Sequence, residues 1–273
     1  MNSETRTTTA RTGAGTVTLV GAGPGAADLI TLAGARALAG ADVVLMDRLA
    51  PRELLEHTGP GTRVIDVGKA PGAHVATQDQ INVRLVAEAR AGHRVVRLKG
   101  GDPYVLGRGG EEAAFLREHG IDVSVVPGVT SAVSVPAAAG IPVTHRGLAT
   151  GFTVVTGHEE LGDVPVRADH TLVVLMGVAR LESTVAALRS RGLDGTTPVA
   201  IVERGFLPDQ RSTIATLATI AARARAIGVS NPAVIVIGDV VTLADMERED
   251  FFTSALAAEQ SAAHPNLTAK ELS

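Results

Sequence analysis

Cysteine and tryptophan are absent from the 273 residues, and aromatic side chains of any kind make up only 2%. Without cysteine there is no disulfide, no thiolate metal site and no thiol nucleophile. With so few aromatic rings, ring stacking is not the general means of holding a ligand. No apolar run approaches the ~20 residues of a membrane span. Residues 1–15 are polar and threonine-rich and lack the apolar stretch of a secretory leader, which leads us to expect a cytoplasmic protein with a loose N-terminal tail. An excess of positive charge is also missing: the formal net charge is −4, so neither nucleic acid nor an acidic membrane is expected as a partner. A small anionic substrate stays possible, because a local group of arginines overrides an average.

What is present is apolar bulk and glycine. Apolar residues make up 45% of the chain and glycines number 30, enough for a sizeable core with tight turns. TVTLV, DVVLM, RVIDV, RVVRL and DVSVV read as strands without polar alternation. Between them lie helical patterns. Thr77-x-x-Gln80 is a capping box ahead of INVRLVAEARAG, and EEAAFLREHG opens on two acids and stops at Gly120. The run DLITLAGARALAGA after the first glycine turn is expected to be a helix that starts at Asp28. Such alternation implies a largely parallel sheet covered on both faces. After Val126 the pattern changes. PGVTSAVSVPAAAGIPVTHRGLATG reads as a short helix flanked by loops, and a second series follows in which strands outnumber helices. The expected organisation is a tail (1–15), an N-terminal α/β domain (16–128), a C-terminal α/β domain (129–247) and a second tail (248–273). The default ligand site is a cleft between the domains.

The first strand ends in VGAGPG, residues 20–25. Gly21-x-Gly23-x-x-Ala26 fits a dinucleotide fingerprint, and Asp47 stands where a ribose-binding acid is expected. Pro24 argues against that use. A phosphate cradle needs free backbone N–H groups, and proline has none. A second glycine turn, RLKGGDPYVLGRGGEE at 97–112, closes the fourth strand. Two glycine turns at the carboxyl ends of parallel strands point to a ligand more strongly than either does alone.

VGAGPG, Asp47-Arg48-Leu49, VGK (67–69), RLKGGDPYVLGRGGEE, VVPGVTS (125–131), GIPVTHR (140–146) and TGH (156–158) occur in an order and spacing that resemble the tetrapyrrole methylases, over about residues 16–245. The resemblance implies a two-domain α/β homodimer with the ligand cleft between the domains. It implies a metal-free enzyme that uses S-adenosylmethionine (SAM) and releases S-adenosylhomocysteine (SAH). It also implies methylation of uroporphyrinogen III at C2 and C7, giving precorrin-2 by way of precorrin-1. The SAM contacts it implies are Pro24, Gly100, Gly101, Asp102, Val105, Thr130, Ser131, Met176 and Gly205. Relatives usually carry Thr-Ala where this chain has Thr130-Ser131, and Glu-Asn-Gly where it has Glu203-Arg204-Gly205.

The resemblance further implies Asp47 as proton acceptor and Lys69 as proton donor. On residue type alone, the favoured readings are a helix-capping or turn acid for Asp47 and a solvated surface charge for Lys69. The substrate has eight carboxylates, so cations are needed around it. Lys69, His74, Arg108, Arg146 and His158 are the candidates, with Glu111 for pyrrole N–H groups. Arg108 is also counted with the catalytic set, since a guanidinium between glycines suits a bidentate grip on a propionate or acetate. Its plain alternative is a surface ion pair. His158 fits a turn histidine as well, and Glu111 a favourable place on the helix dipole. The segment Lys69-Ala70-Pro71-Gly72-Ala73-His74 departs from the usual Lys-Arg-x-Gly, removing one charge. Two alternatives stay open: a methylase of a later precorrin in cobalamin biosynthesis, and a nicotinamide-dependent oxidoreductase that uses the first glycine turn.

Overall fold

The structure, a computed structural model, describes residues 15–68, 76–162, 164–167 and 169–244. These fall into two compact units that divide between Thr130 and Ser131.

The first unit is built on β1 (Thr16–Gly21), β2 (Val43–Met46), β3 (Arg63–Asp66), β4 (Arg94–Lys99) and β5 (Asp122–Val126). They form one parallel sheet in the order β3-β2-β4-β1-β5. The helices are α1 (Leu32–Ala39), α2 (Gln78–Arg90) and α3 (Gly109–Glu118). Side chains alternate across a strand, and here both faces are covered. Val17, Leu19, Val43, Leu45 and Val95 pack with Leu85, Val86 and Leu116 of α2 and α3. Val20, Val44, Met46, Val96 and Leu98 pack on the opposite face with Leu38 of α1. This is why the strands read as unbroken apolar runs.

The capping box at α2 forms as expected: Thr77 Oγ1 accepts the Gln80 N–H and Gln80 Oε1 accepts the Thr77 N–H. The helix after the first glycine turn does not start at Asp28. Residues 27–29 make a single 3-10 turn, Ile30 is extended, and α1 begins at Leu32. Thr31 is the stronger cap, since its hydroxyl accepts the Gly34 N–H at 3.1 Å, whereas Ala26, which precedes the 3-10 turn, has no side chain able to cap it.

Glu88 on α2 fastens the amino end of this sheet. It takes a two-pronged contact from Arg63 at 3.0 and 2.5 Å and further contacts from Arg84 and His93. The Arg63 guanidinium holds the Glu88 carboxyl below the ordinary glutamate range. The stabilisation is therefore present above the unfolded-chain value and lost as pH falls through the folded one. Glu88→Gln should cost about 1–2 kcal/mol at pH 7. The gap in melting temperature between it and the parent should shrink steadily toward pH 3. A gap that stays constant over that range would show that Glu88 acts by packing alone.

The second unit holds α4 (Ser131–Ala138), β6 (Gly151–Thr156), β7 (His170–Leu175), α5 (Leu181–Ser190), β8 (Pro198–Glu203), β9 (Arg211–Thr216), α6 (Ile220–Ile227) and β10 (Ala233–Ile237). Its sheet runs β6-β7-β10-β8-β9. Only β6 and β7 pair parallel; β10 is antiparallel to both β7 and β8, and β9 to β8. Val173, Val202, Val234 and Val236 face α4, while Val174, Ile201, Ile235 and Ile237 face α5 and α6. No helix among the described residues is long and apolar enough to cross a membrane.

Candidate active site

In the first unit, β1, β4 and β5 are neighbours and parallel, so the turns after Gly21, Lys99 and Val126 leave the sheet at one edge. Glycine is required there by backbone contact. A Cβ on Gly128 would lie 2.2 Å from the Gly101 carbonyl oxygen and 2.6 Å from Gly21 Cα. The first and second glycine turns are also joined directly: the Gly23 N–H donates to the Gly101 carbonyl at 3.2 Å, and the Gly101 N–H to the Gly23 carbonyl at 2.7 Å. The Ala22 N–H donates to the Lys99 carbonyl at 2.7 Å. With Pro24 next in line, three successive positions of the fingerprint have no N–H to offer a pyrophosphate. Asp102 locks the third turn into the same group, Oδ2 accepting the Gly128 N–H at 3.0 Å and Oδ1 the Tyr104 N–H at 2.8 Å.

Asp47 follows β2 directly. Its N–H donates to the Leu98 carbonyl, and its carboxylate accepts the Arg48 N–H at 2.9 Å. The turn it opens packs against two others. A Cβ on Gly100 would meet Leu49 Cβ at 2.8 Å, and one on Gly68 would meet Arg48 Cβ at 2.7 Å. Gly100 and Gly68 thus hold the Asp47-Arg48-Leu49 turn between the ends of β4 and β3. Lys69 and His74 lie outside the described residues.

Beneath Asp47 is a charged group that the motif reading passed over. By strand alternation, Asp47, Arg97 and Lys99 share the sheet face covered by α2 and α3. Glu112 of α3 is fully buried. Its Oε1 accepts from Arg97 Nε at 3.3 Å, Lys99 Nζ at 3.1 Å and Gln78 Nε2 at 3.0 Å. Arg97 Nη2 also lies 3.6 Å from Asp47 Oδ2, so a cation that is 3% exposed meets a carboxylate that is 38% exposed. Burial, with the Arg97 charge added, pushes the Lys99 ammonium below the ordinary lysine range. One signal was available in the sequence: charged residues at alternate positions of an otherwise apolar strand, RVVRLK, face one side and need a buried partner.

The loop 102–110 is compact. Cβ atoms on Gly107 and Gly109 would strike the Pro103 carbonyl oxygen at 2.9 and 2.4 Å. Val105 is half-buried in this loop. Arg108 precedes α3 at φ 57° and extends into solvent, where it pairs with Glu111, Nη2 to Oε2 at 2.6 Å. Two residues assigned separate duties from the sequence therefore neutralise one another, and the Glu111 carboxylate raises the Arg108 guanidinium further above its ordinary value.

In the second unit, the turns after β6 and β7 touch: a Cβ on Gly157 would lie 2.3 Å from Gly177 Cα. The exposed His158 and Met176 thus stand in adjoining turns, and Arg180 Nη1 donates to the His158 carbonyl at 3.0 Å. Gly205 follows β8, whose carboxyl end lies at the same edge, since β7 and β8 are both antiparallel to β10. Packing explains this glycine, because a Cβ would lie 2.7 Å from both Val135 methyls on α4. Ser131 begins α4, one residue after Thr130. Arg146 is not brought to this edge. It sits in the turn closed by paired hydrogen bonds between His145 and Ala149, before β6 starts, and Thr150 then pairs with Asp169 ahead of β7. The six-residue β6 separates it from His158 by ~20 Å of strand.

Five non-glycine residues have a left-handed backbone among the described residues: Leu106, Arg108, Met176, Arg204 and Phe206. Arg108 and Met176 are themselves site candidates, and the other three adjoin Val105 or Gly205. Such conformations cost of order 1–3 kcal/mol each and collect where function fixes the chain. Their distribution marks the same loops as the motifs, independently of any resemblance.

The model of the tetrapyrrole (corrin/porphyrin) methylases matches residues 16–221. The chain belongs to this family. It is similar to the uroporphyrinogen-III C-methyltransferase of Methanocaldococcus jannaschii, 46% identical over 240 residues that cover 85% of this chain and 99% of that one. A SAM-dependent uroporphyrinogen III methyltransferase of Methanosarcina barkeri is 47% identical over 240 residues, 85% of this chain and 94% of its own length. Among solved structures, the Thermus thermophilus uroporphyrin-III C-methyl transferase in complex with S-adenosyl homocysteine superposes with a TM-score of 0.72 at 44% identity, over 84% of this chain and all of that one.

Proposed function

We propose that this protein is a SAM-dependent C-methyltransferase that methylates uroporphyrinogen III at C2 and C7, giving precorrin-2 by way of precorrin-1 with release of two SAH. The observation that carries the reading is the near-complete match, at 46% identity, to the M. jannaschii enzyme. The glycine turns agree with it. They are closed to phosphate by their own hydrogen bonds, yet their missing side chains bring bare backbone to the sheet edge, as a neutral nucleoside with a charged sulfur requires.

The SAM contacts are Pro24, Gly100, Gly101, Asp102, Val105, Thr130, Ser131, Met176 and Gly205. SAM supplies a methyl group already activated by its sulfonium. The pyrrole β-carbons at C2 and C7 are electron-rich, so the chain need not generate a strong nucleophile. Its main contribution is alignment. Each methyl transfer from the sulfonium leaves one net proton to be lost, which Asp47, backed by Arg97, accepts; where the macrocycle also shifts a hydrogen between its carbons, Lys69 supplies one proton and a second leaves in exchange. Arg108, His74, His158 and Lys69 grip the carboxylates, and Glu111 meets pyrrole N–H groups; Arg146, at the other end of β6, is left out of that set. Because Arg108 and Glu111 pair with each other, substrate binding exchanges that pair for two new contacts. An exposed pair gives up little in such an exchange. The enzyme acts in the cytoplasm as a homodimer.

Anaerobic incubation with SAM and uroporphyrinogen III should produce the absorbance of precorrin-2 and two SAH per tetrapyrrole. No transfer to uroporphyrinogen III, with transfer to a later precorrin, would move the chain to another branch of the family. Calorimetric binding of NAD(H) but not SAH would overturn the reading. Arg108→Ala should raise the KM for the tetrapyrrole by about tenfold or more and leave SAH affinity unchanged. Equal loss of both would remove Arg108 from the substrate side.

A further inference from the structure

The strained loop after β8 is held by one side chain with no assigned role. Gln210 Oε1 accepts the Phe206 N–H at 2.9 Å, and Gln210 Nε2 donates to the Ala138 carbonyl at 3.3 Å, at the last residue of α4. A carboxamide is suited to this because it donates and accepts at once, and the last carbonyls of a helix have no partner within the helix. Gly205 touches the same helix at Val135, three residues before Ala138 and therefore on the same face. The loop and helix thus meet at two points, one steric and one hydrogen-bonded.

The contacts around Gln210 show what it restrains. Arg204 and Phe206, on either side of Gly205, have φ of 50° and 65°. Two backbone bonds close the loop, Leu207 N–H to the Arg204 carbonyl and Gln210 N–H to the Leu207 carbonyl, each at 2.9 Å. The Arg204 side chain is tied at Asp209 and Glu203. The Arg204 side of Gly205 is therefore fixed by its own charges. On the Phe206 side, the Gln210 amide fixes the peptide N–H and joins it to α4. We propose that Gln210 is a positioning residue for the S-adenosyl ligand. It holds the Phe206 peptide N–H, and with it Gly205 between the left-handed Arg204 and Phe206, in register with α4, whose first residue is Ser131, so that the segments assigned to SAM at 131 and 205 are presented as one surface. This rests on the reading that Gly205 and Ser131 contact SAM.

The test is calorimetric titration of SAH into the full chain, with SAM KM and kcat measured alongside. The parent is measured first; if it fails to bind SAH, the functional reading falls and the variants are not compared. If the parent binds, Gln210→Ala should weaken SAH by about tenfold, the loss of one to two net hydrogen bonds. It should raise the SAM KM by a similar factor, with kcat at saturating SAM within about twofold. Gln210→Met keeps the length of the side chain without its hydrogen bonds and should lose affinity equally. A purely structural glutamine would instead lower the melting temperature and leave SAH affinity and KM where they were. That result, or full affinity in Gln210→Met, would overturn the proposal. Should Gln210→Ala not fold, Gln210→Met alone decides between the two.

Discussion

Glu112→Ala is expected to remove about 3–5 kcal/mol of stability, the range for breaking a buried ion pair from one side. A single oxygen of Glu112 receives Arg97, Lys99 and Gln78. Its loss leaves two cations, 3% and 5% exposed, of which Arg97 keeps the Asp47 carboxylate at 3.6 Å and Lys99 loses its ion-pair partner. The arginine cannot discharge, but the lysine can. Burial and the Arg97 charge already hold Lys99 below the lysine range, and losing its acceptor pushes it lower. A lysine whose folded value lies below its unfolded one makes stability rise with pH between the two. The deficit of Glu112→Ala should therefore be largest near pH 7 and narrow toward pH 9.5. Adding Lys99→Met should recover part of it at pH 7, because an apolar side chain of similar volume leaves one fewer uncompensated charge. Urea unfolding at the two pH values checks both statements. A deficit under about 1 kcal/mol, or one that ignores pH, would mean that water reaches the group and solvates it. Arg97 also links the buried Glu112 to Asp47, the residue proposed above as proton acceptor, at the sheet edge.

The parallel sheet of the first unit was legible because its central strands β1, β2 and β4 are buried on both faces, while the edge strands β3 and β5 are more exposed, and helical periods mark the crossovers that carry α1, α2 and α3. The antiparallel pairing of β8, β9 and β10 was not. Orientation in a mixed sheet depends on where β10 inserts, and the apolar runs PVAIVE and AVIVI read alike in either direction. The start of α1 was misplaced because Asp28 looks like a helix-opening acid, while the actual cap, Thr31, stands three residues later inside an apolar stretch. At the site, the family motifs located the loops, but motif reading favours exposed polar residues flanked by glycine. It selected Arg108 and Glu111, which pair with each other in solvent, and missed Glu112, the next residue after Glu111, together with Lys99 and Arg97, nine and eleven positions before Arg108 in the same segment. Adjacent acids illustrate the difficulty: Glu111 and Glu112 differ by one step of 100° around α3, enough to put one in water and the other in the core. Gln210 carries no motif at all, since its partners at 138 and 206 are set only by how the loop folds back on α4.

Gly128→Ala should weaken SAH binding by about 30–100-fold, although alanine is the smallest possible side chain and Gly128 is not among the residues with positive φ. The obstacle is contact alone. The added methyl would sit 2.2 Å from the Gly101 carbonyl oxygen and 2.6 Å from Gly21 Cα. Both are backbone atoms, which no rotamer change can move aside. Either the 100–102 turn or the 127–130 segment must shift by about 1 Å, at a cost of about 1–3 kcal/mol for overpacking. A shift of either one strains the Gly128 N–H bond to Asp102 Oδ2. Movement of the 100–102 turn strains the paired Gly23–Gly101 bonds as well. Because those bonds connect the turns after β1, β4 and β5, the disturbance reaches Pro24 and Gly100–Asp102 together, and part of the binding energy is spent in restoring them. Gly40→Ala in the same unit is the control. Its methyl meets nothing closer than 3.6 Å, and SAH affinity should stay within about twofold of the parent. If Gly128→Ala bound SAH as the parent does, the three glycines would be a packing convenience of the sheet edge, and the S-adenosyl ligand would have to be held by other loops.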